Sequence, residues 1–153
     1  MLNLSIPLPT PVQLLQELQA LMPGIDLQPT DDPTLWNLQY RQHRIGVHWL
    51  YQPARLELSM AVGQVLPDTT PRMYEALLAY NRHSSRTRGT RISLDGVERQ
   101  LHLVCDQPAG QCTPADMRLA VLHIIDAAQG VLIWMDVHGN ERDEQSADET
   151  PAC

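Results

Sequence analysis

Histidine and cysteine are the side chains of this sequence that could support nucleophilic or metal-dependent chemistry. The chain contains six histidines and three cysteines. None of them stands with a second histidine, cysteine or carboxylate at a metal-binding spacing such as HExxH or CxxC. His48 and His102 fall at polar positions of predicted strands, and His123 lies on the polar side of a predicted helix. The sequence therefore predicts no catalytic residue, no metal site and no bound cofactor.

The three cysteines are more typical of structural positions than of reactive ones. Cys105 falls on the apolar side of a predicted strand, where a thiol packs as a small hydrophobic group. Cys112 is placed in a loop, and Cys153 follows a polar segment. An odd number of cysteines at irregular spacing argues against the disulfide framework of a secreted protein. A small enzyme with a cysteine–histidine nucleophile pair is the remaining catalytic alternative, and no motif favours it.

A basic segment at residues 82–91 (RHSSRTRGTR) is the other candidate for a binding site. Its guanidinium groups could hold an anion or the acidic surface of a partner. A solvated connection between two elements is the simpler interpretation of the same segment. The residues concerned are Arg82, Arg86, Arg88 and Arg91.

The net charge of −7 is concentrated near the C-terminus. Residues 139–153 contain five acidic residues and one arginine, and we expect them to form a disordered acidic tail. The rest of the chain is weakly acidic. This disfavours binding to nucleic acid, because such binding depends on neutralising phosphate charges. No stretch approaches the roughly 20 apolar residues of a membrane span. The N-terminus lacks the basic region of a signal peptide, so we expect a cytoplasmic protein.

The period of the apolar residues predicts the first half of the fold. Residues 11–22 have an amphipathic helical pattern, with Thr10 as a cap and Pro11 in the first turn. The period then changes to 2, which is typical of half-buried strands. Short turns between these strands make them antiparallel neighbours. The three predicted strands lie at residues 36–40, 45–51 and 56–62.

A second helix, two strands and a third helix complete the prediction. The second helix covers residues 71–81 and has apolar residues on two sides, with Tyr74 and Leu78 on the smaller one. Two strands at residues 91–94 and 100–105 flank a hairpin turn. The last helix opens at Thr113 and Pro114, with Asp116 in a near capping box. Together these elements predict a single α+β domain over residues 1–138.

The predicted element order is α-β-β-β-α-β-β-α, with an antiparallel sheet and helices packed on it. Three short motifs within this order are similar to those of a known family. They are residues 76–81 (ALLAYN) at a helix end, residues 92–95 (ISLD) in a hairpin and residues 101–104 (LHLV) in the next strand. A loop with Pro108 and a helix that ends near Trp134 follow. In these features the chain resembles the class I chaperones of bacterial type III secretion, the family of the Tir chaperone.

The resemblance covers residues 10–136 and implies a function without catalysis. Members of that family are cytoplasmic homodimers that hold the N-terminal segment of a secreted effector in an extended form. They help to deliver it to the secretion ATPase, and they do not hydrolyse ATP themselves. A regulator or adaptor of the same fold, which binds a folded partner and has no role in export, is the alternative.

The resemblance also suggests where contacts lie on this chain. We expect effector contacts from the first helix and the three-stranded region, and dimer contacts from the second helix and the following strand. Leu50 interrupts the alternation of its strand, so we expect it to face away from the core. The predicted effector contacts are Leu14, Leu18, Leu21, Trp36 and Leu50. The predicted dimer contacts are Tyr74, Leu78 and Leu94.

Overall fold

The computed structural model describes residues 10–66, 71–82 and 87–145, with side chains to Asp136. Three helices and six strands make up these segments. The helices are α1 (Pro11–Leu21), α2 (Pro71–Arg82) and α3 (Pro114–Gln145). The strands are β1 (Ile25–Pro29), β2 (Leu35–Tyr40), β3 (His43–Tyr51), β4 (Ala54–Gln64), β5 (Thr90–Asp95) and β6 (Gln100–Pro108).

The strands form one antiparallel sheet in the order β1-β2-β3-β4-β6-β5. The first four strands are consecutive hairpins, and the short turns predicted the two hairpins from β2 to β4. The chain then leaves β4, passes through α2 and returns as β5 at the far edge, and β6 fills the place between them. The two edges of the sheet are therefore β1 and β5.

The α+β class and the single antiparallel sheet are confirmed, and one strand was missed. The sequence analysis placed a polar link where the structure has β1, which pairs with β2 from Ile25 opposite Tyr40 to Pro29 opposite Trp36. The strand offers just two apolar residues for the alternation, Ile25 and Leu27. Two residues are too few to separate a half-exposed edge strand from a loop.

One face of the sheet carries the core, and α1 and α3 pack on it. Alternate residues of the central strands, such as Val47, Leu58 and Leu103, point to this face and are fully buried. Each fully buried leucine stabilises the fold by roughly 1.5–3 kcal/mol relative to exposure. The helix residues that complete the core are Leu14, Leu15, Leu18, Met117, Val121, Ile124 and Ala128.

Side-chain caps set the starts of α1 and α3. The Gln13 N–H donates to Thr10 Oγ1 at 3.3 Å, and Gln13 Oε1 accepts from the Thr10 N–H at 3.1 Å. At α3, the Asp116 N–H donates to Thr113 Oγ1 at 3.2 Å, and Asp116 Oδ2 accepts from the Thr113 N–H at 2.9 Å. The Thr113 hydroxyl and N–H lower the pKa of Asp116. The reciprocal capping predicted at Thr113 is confirmed.

Helix α3 is longer and more apolar than the sequence analysis expected. Its segment Pro114–Asp136 has a mean hydropathy of 1.4, enough by length and composition to cross a membrane. In the structure the inward stripe of this segment packs on the sheet, so it forms part of the core. The helix continues to Gln145, into the segment predicted as an acidic tail, and residues 146–153 lie outside the described residues.

Candidate partner-binding surfaces

Helix α2 lies along the edge strand β5 and is only lightly buried. Leu77 is its one buried residue, and the helix contacts β5 rather than the centre of the sheet. Polar bonds at both ends hold it in place. The Tyr80 hydroxyl lies 2.8 Å from Thr90 Oγ1, and Arg99 Nη2 donates to the Tyr74 hydroxyl at 3.4 Å. These bonds fix the position of α2, while most of its surface is not covered by other parts of the fold.

A groove of about 780 Å³ separates α2 from α3 above β5. We call it the α2–α3 groove. Its floor is apolar, with Leu77, Ile92 and Val131 buried at its base. Residues with small side chains line both helices and leave room for a chain to enter. They are Ala76, Ala79, Ala127 and Gly130.

Apolar side chains outside the lining of this groove also remain exposed on α2, β5 and the adjoining segments. Leu78 on α2 is 69% exposed, and Leu94 on β5 is 46% exposed. Leu66 before α2 and Val97 at the tip of the β5–β6 hairpin are also exposed. Of the predicted dimer contacts, Leu78 and Leu94 are thus accessible, whereas Tyr74 is half-buried against the core. We call the region formed by α2, β5 and this hairpin the α2–β5 side.

The face of the sheet opposite the helices is the second open surface. Leu50 lies on it, because it pairs with Arg55 while its neighbour Trp49 pairs with the buried Leu56. It is half-exposed, with Leu35 and His48 on the same face. The expectation that Leu50 faces away from the core is confirmed.

Two of the predicted effector contacts are corrected by the structure. Leu14 is 2% exposed and Leu18 is 0% exposed, because the apolar side of α1 that carries them packs against the sheet and α3. A partner could reach them only if the core opened. Trp36 is also buried, at 9% exposure. Leu21 is the one predicted contact of α1 that stays exposed, at 47%.

Arg91 was predicted to contact an anion, but its guanidinium is already paired. Nη1 lies 2.6 Å from Asp106 Oδ2, and Nη2 lies 2.8 Å from Glu57 Oε2. The hydrogen bonds to Asp106 raise the pKa of Arg91 above its usual value, against partial desolvation. Two carboxylates from β4 and β6 thus occupy it, and the prediction for Arg91 is corrected.

The other arginines of the basic segment have separate positions. Arg82 is exposed at the end of α2, and Arg88 is exposed in the turn before β5, where it lines the α2–α3 groove. Arg86 lies outside the described residues. The structure therefore places Arg82 and Arg88 near the α2–β5 side without bringing them together as an anion site.

We expect Arg91→Met to lower the free energy of unfolding by about 1–2 kcal/mol at low salt. Glu57 and Asp106 are directly opposite each other in β4 and β6, so removing the cation leaves two like charges as neighbours. Screening by 1 M salt should shrink the loss. Urea unfolding at both salt concentrations, with the exposed Arg44→Met as control, measures this effect. Equal losses in the two variants would contradict the interpretation.

Two cysteines and one histidine of the described residues are held within the fold. Cys105 and Cys112 are buried, and burial raises the pKa of both thiols, that of Cys112 to about 11. Such thiols are almost fully protonated at neutral pH and are weak nucleophiles. His123 Nε2 lies 3.2 Å from the Thr87 carbonyl oxygen. Within the described segments no group of three or more His, Cys, Asp or Glu side chains could hold a metal ion.

A comparison with models of protein families shows which family has this arrangement of elements. The model of the Tir chaperone protein (CesT) family matches residues 13–132, from α1 to the apolar part of α3. The chain belongs to the Tir chaperone protein family. The resemblance inferred from the short motifs is thereby confirmed. Comparison with curated protein sequences gives no match.

Solved structures show that the fold of this Tir chaperone family member is shared. The ExsC–ExsE complex contains a chain that is 20% identical, with a TM-score of 0.63 over 78% of this chain and 88% of that one. The HopA1–SchA chaperone–effector complex contains one that is 15% identical, with a TM-score of 0.64 over 78% and 90%. These similarities extend over most of the described residues.

Proposed function

We propose that the chain is a cytoplasmic, homodimeric chaperone for type III secretion. It binds the N-terminal segment of one or more effectors, keeps that segment extended and competent for export, and helps to deliver it to the secretion ATPase. The match to the Tir chaperone protein family over residues 13–132 carries this proposal. The unpartnered apolar surfaces and the structural positions of the cysteines are consistent with binding rather than catalysis.

The α2–β5 side supports the dimer in this proposal. Leu78 and Leu94 are exposed on α2 and β5, which lie against each other. A twofold-related copy would place the same surface against itself, so that α2 of each subunit covers the other's exposed leucines. Fully burying a leucine contributes roughly 1.5–3 kcal/mol, which makes these positions strong candidates for the centre of the interface.

The open face of the sheet and the outer side of α1 support effector binding. Leu50 and Leu21 are accessible there. They are the predicted effector contacts that stay accessible, whereas Leu14 and Leu18 are buried. An extended segment loses conformational entropy when it binds, so it must cover a large surface to bind tightly. Two separated apolar contacts on different elements suit a partner that wraps around the domain.

We expect Leu50→Asp to weaken binding of the effector segment by about 10-fold or more, because a carboxylate would replace an apolar contact in a desolvated interface. The fold should survive, since Leu50 is half-exposed and faces Arg55 across the strands. Isothermal titration with an N-terminal effector segment measures the change. Leu119→Asp, at an exposed position of α3, is the control. Unchanged affinity of the folded variant would contradict the contact, and loss of folding would contradict the position of Leu50 outside the core.

A further inference from the structure

The edge strand β5 is a place where another chain could pair with the sheet. Edge strands present alternate N–H and C=O groups to their surroundings, and a foreign strand can bond to them. In β5 the backbone groups of Ile92 face away from β6. Leu94, two residues further, faces the same way because the direction repeats every second residue.

The side chain of Asn81 occupies the place of a neighbouring strand on β5. Its Nδ2 donates to the Ile92 carbonyl oxygen at 2.9 Å, and its Oδ1 accepts from the Ile92 N–H at 2.7 Å. A carboxamide offers the same donor and acceptor as a peptide group. One side chain from the last turn of α2 thus satisfies both outward groups, as a paired strand would.

The position next to it on the same edge is also engaged. The Thr90 N–H donates to the Thr87 carbonyl oxygen at 3.0 Å, and the Thr90 hydroxyl lies 2.8 Å from the Tyr80 hydroxyl. Thr90 is 2% exposed. The outward N–H of Thr90 is therefore bonded by the preceding turn, while Tyr80 holds the Thr90 side chain and Asn81 bonds the backbone of Ile92.

The opposite edge, β1, is closed in a similar way. The Ile25 N–H donates to the Met22 carbonyl oxygen at 3.1 Å, and the Ile25 oxygen accepts from Gln19 Nε2 at 3.4 Å. Pro29 has no N–H to offer. Within the described part of β1, Leu27 then remains as the position whose outward groups are left for pairing.

We propose that Asn81 is a specificity-determining residue, which closes β5 to strand addition. A partner on the α2–β5 side then meets side chains such as Leu78 and Leu94 instead of a free backbone edge. An extended segment that pairs by its backbone then finds one position at each edge whose outward groups are left for pairing, Leu94 on β5 and Leu27 on β1. The inference deepens the proposed function, but the closure of β5 is a property of the free chain and is tested without an effector.

The test compares the full chain with Asn81→Leu, Asn81→Asp and, as control, Glu75→Gln at an exposed position of α2. Amide hydrogen exchange reports the Ile92 N–H, and light scattering reports mass against concentration. We expect Asn81→Leu to exchange the Ile92 proton about tenfold faster than the control, because one hydrogen bond is lost. Asn81→Asp keeps the acceptor, so its exchange should accelerate less. In Asn81→Leu the mass should also rise with concentration above that of the unmodified chain.

Leu94→Pro then separates edge pairing from other association. Proline removes an N–H that faces away from β6, so the ladder with β6 keeps its bonds. Because Leu94 is also a proposed dimer contact, the single variant Leu94→Pro is the reference, and the double variant should have the mass of that single variant at every concentration. Ile92 exchange within about twofold of the control would overturn the proposal, since a lost bond should change it about tenfold. A mass that stays unchanged in Asn81→Leu, or one that Leu94→Pro leaves high, would also overturn it. If Asn81→Leu does not fold, the exchange rate of the Ile92 N–H in Asn81→Asp, compared with that in the control, decides whether the proposal holds.

Discussion

Leu78→Asp is expected to convert the proposed homodimer into monomers. Leu78 is 69% exposed in the single chain, so a carboxylate there remains hydrated and the monomer should fold normally. In the proposed dimer the same carboxylate would be desolvated against an apolar surface, which costs several kcal/mol. We expect dissociation to become at least about 100-fold more favourable, equivalent to about 2.7 kcal/mol. Sedimentation equilibrium should show the mass fall from twice the 17.2 kDa of the chain to 17.2 kDa.

Leu119→Asp is the matched control for this experiment. Leu119 is 65% exposed, is also a leucine on a helix, and lies on α3 outside the α2–β5 side. The control should remain a dimer with the affinity of the unmodified chain. Two dimeric variants would contradict the proposed interface, and so would dissociation of both.

Leu18→Ala is expected to lower the free energy of unfolding by about 2–5 kcal/mol, because it removes a side chain that is 0% exposed and leaves a cavity. Leu21→Ala, one turn further along α1 and 47% exposed, should change it by less than about 0.5 kcal/mol. Urea unfolding of both variants measures the difference. Both substitutions shorten a leucine in the same helix, so helix propensity is nearly matched.

The opposite pattern would contradict the assignment of Leu18 to the core. If Leu18 contacted an effector instead, Leu18→Ala would leave the unfolding transition in place and weaken binding. Leu21→Ala should weaken binding modestly in either case, because Leu21 remains a proposed contact. The stability measurement alone therefore separates a core role of Leu18 from a contact role.

Sequence periodicity predicted the helices and strands better than it predicted what packs against their apolar sides. The stripe that contains Leu14 and Leu18 identified α1 correctly as an amphipathic helix. A helical period shows that one side is apolar, but it does not show what covers that side. Here the sheet and α3 cover it, and so both leucines were wrongly assigned to effector contacts. Leu50 was placed correctly because strand alternation relates a residue directly to a face.

The pairing of Arg91 shows a second limit. Its partners Asp106 and Glu57 are 15 and 34 positions away in the sequence. The three residues meet because β6 inserts between β4 and β5, and no local pattern specifies that order. The basic segment was therefore interpreted as one cluster, although its last arginine belongs to the open face of the sheet. The bonds from Asn81 to Ile92 span 11 positions and depend on how α2 packs against β5, which no local pattern specifies either.

Binding of an effector's N-terminal segment is the central claim, and one titration tests it most directly. The protein to test as partner is a candidate effector, such as the product of a neighbouring gene, prepared whole, as its isolated N-terminal segment, and without that segment. We expect the whole protein and the isolated segment to bind the full chain with similar affinity, and the shortened protein not to bind. Equal binding of the shortened protein, with no binding of the segment, would contradict the chaperone function and favour an adaptor for a folded partner.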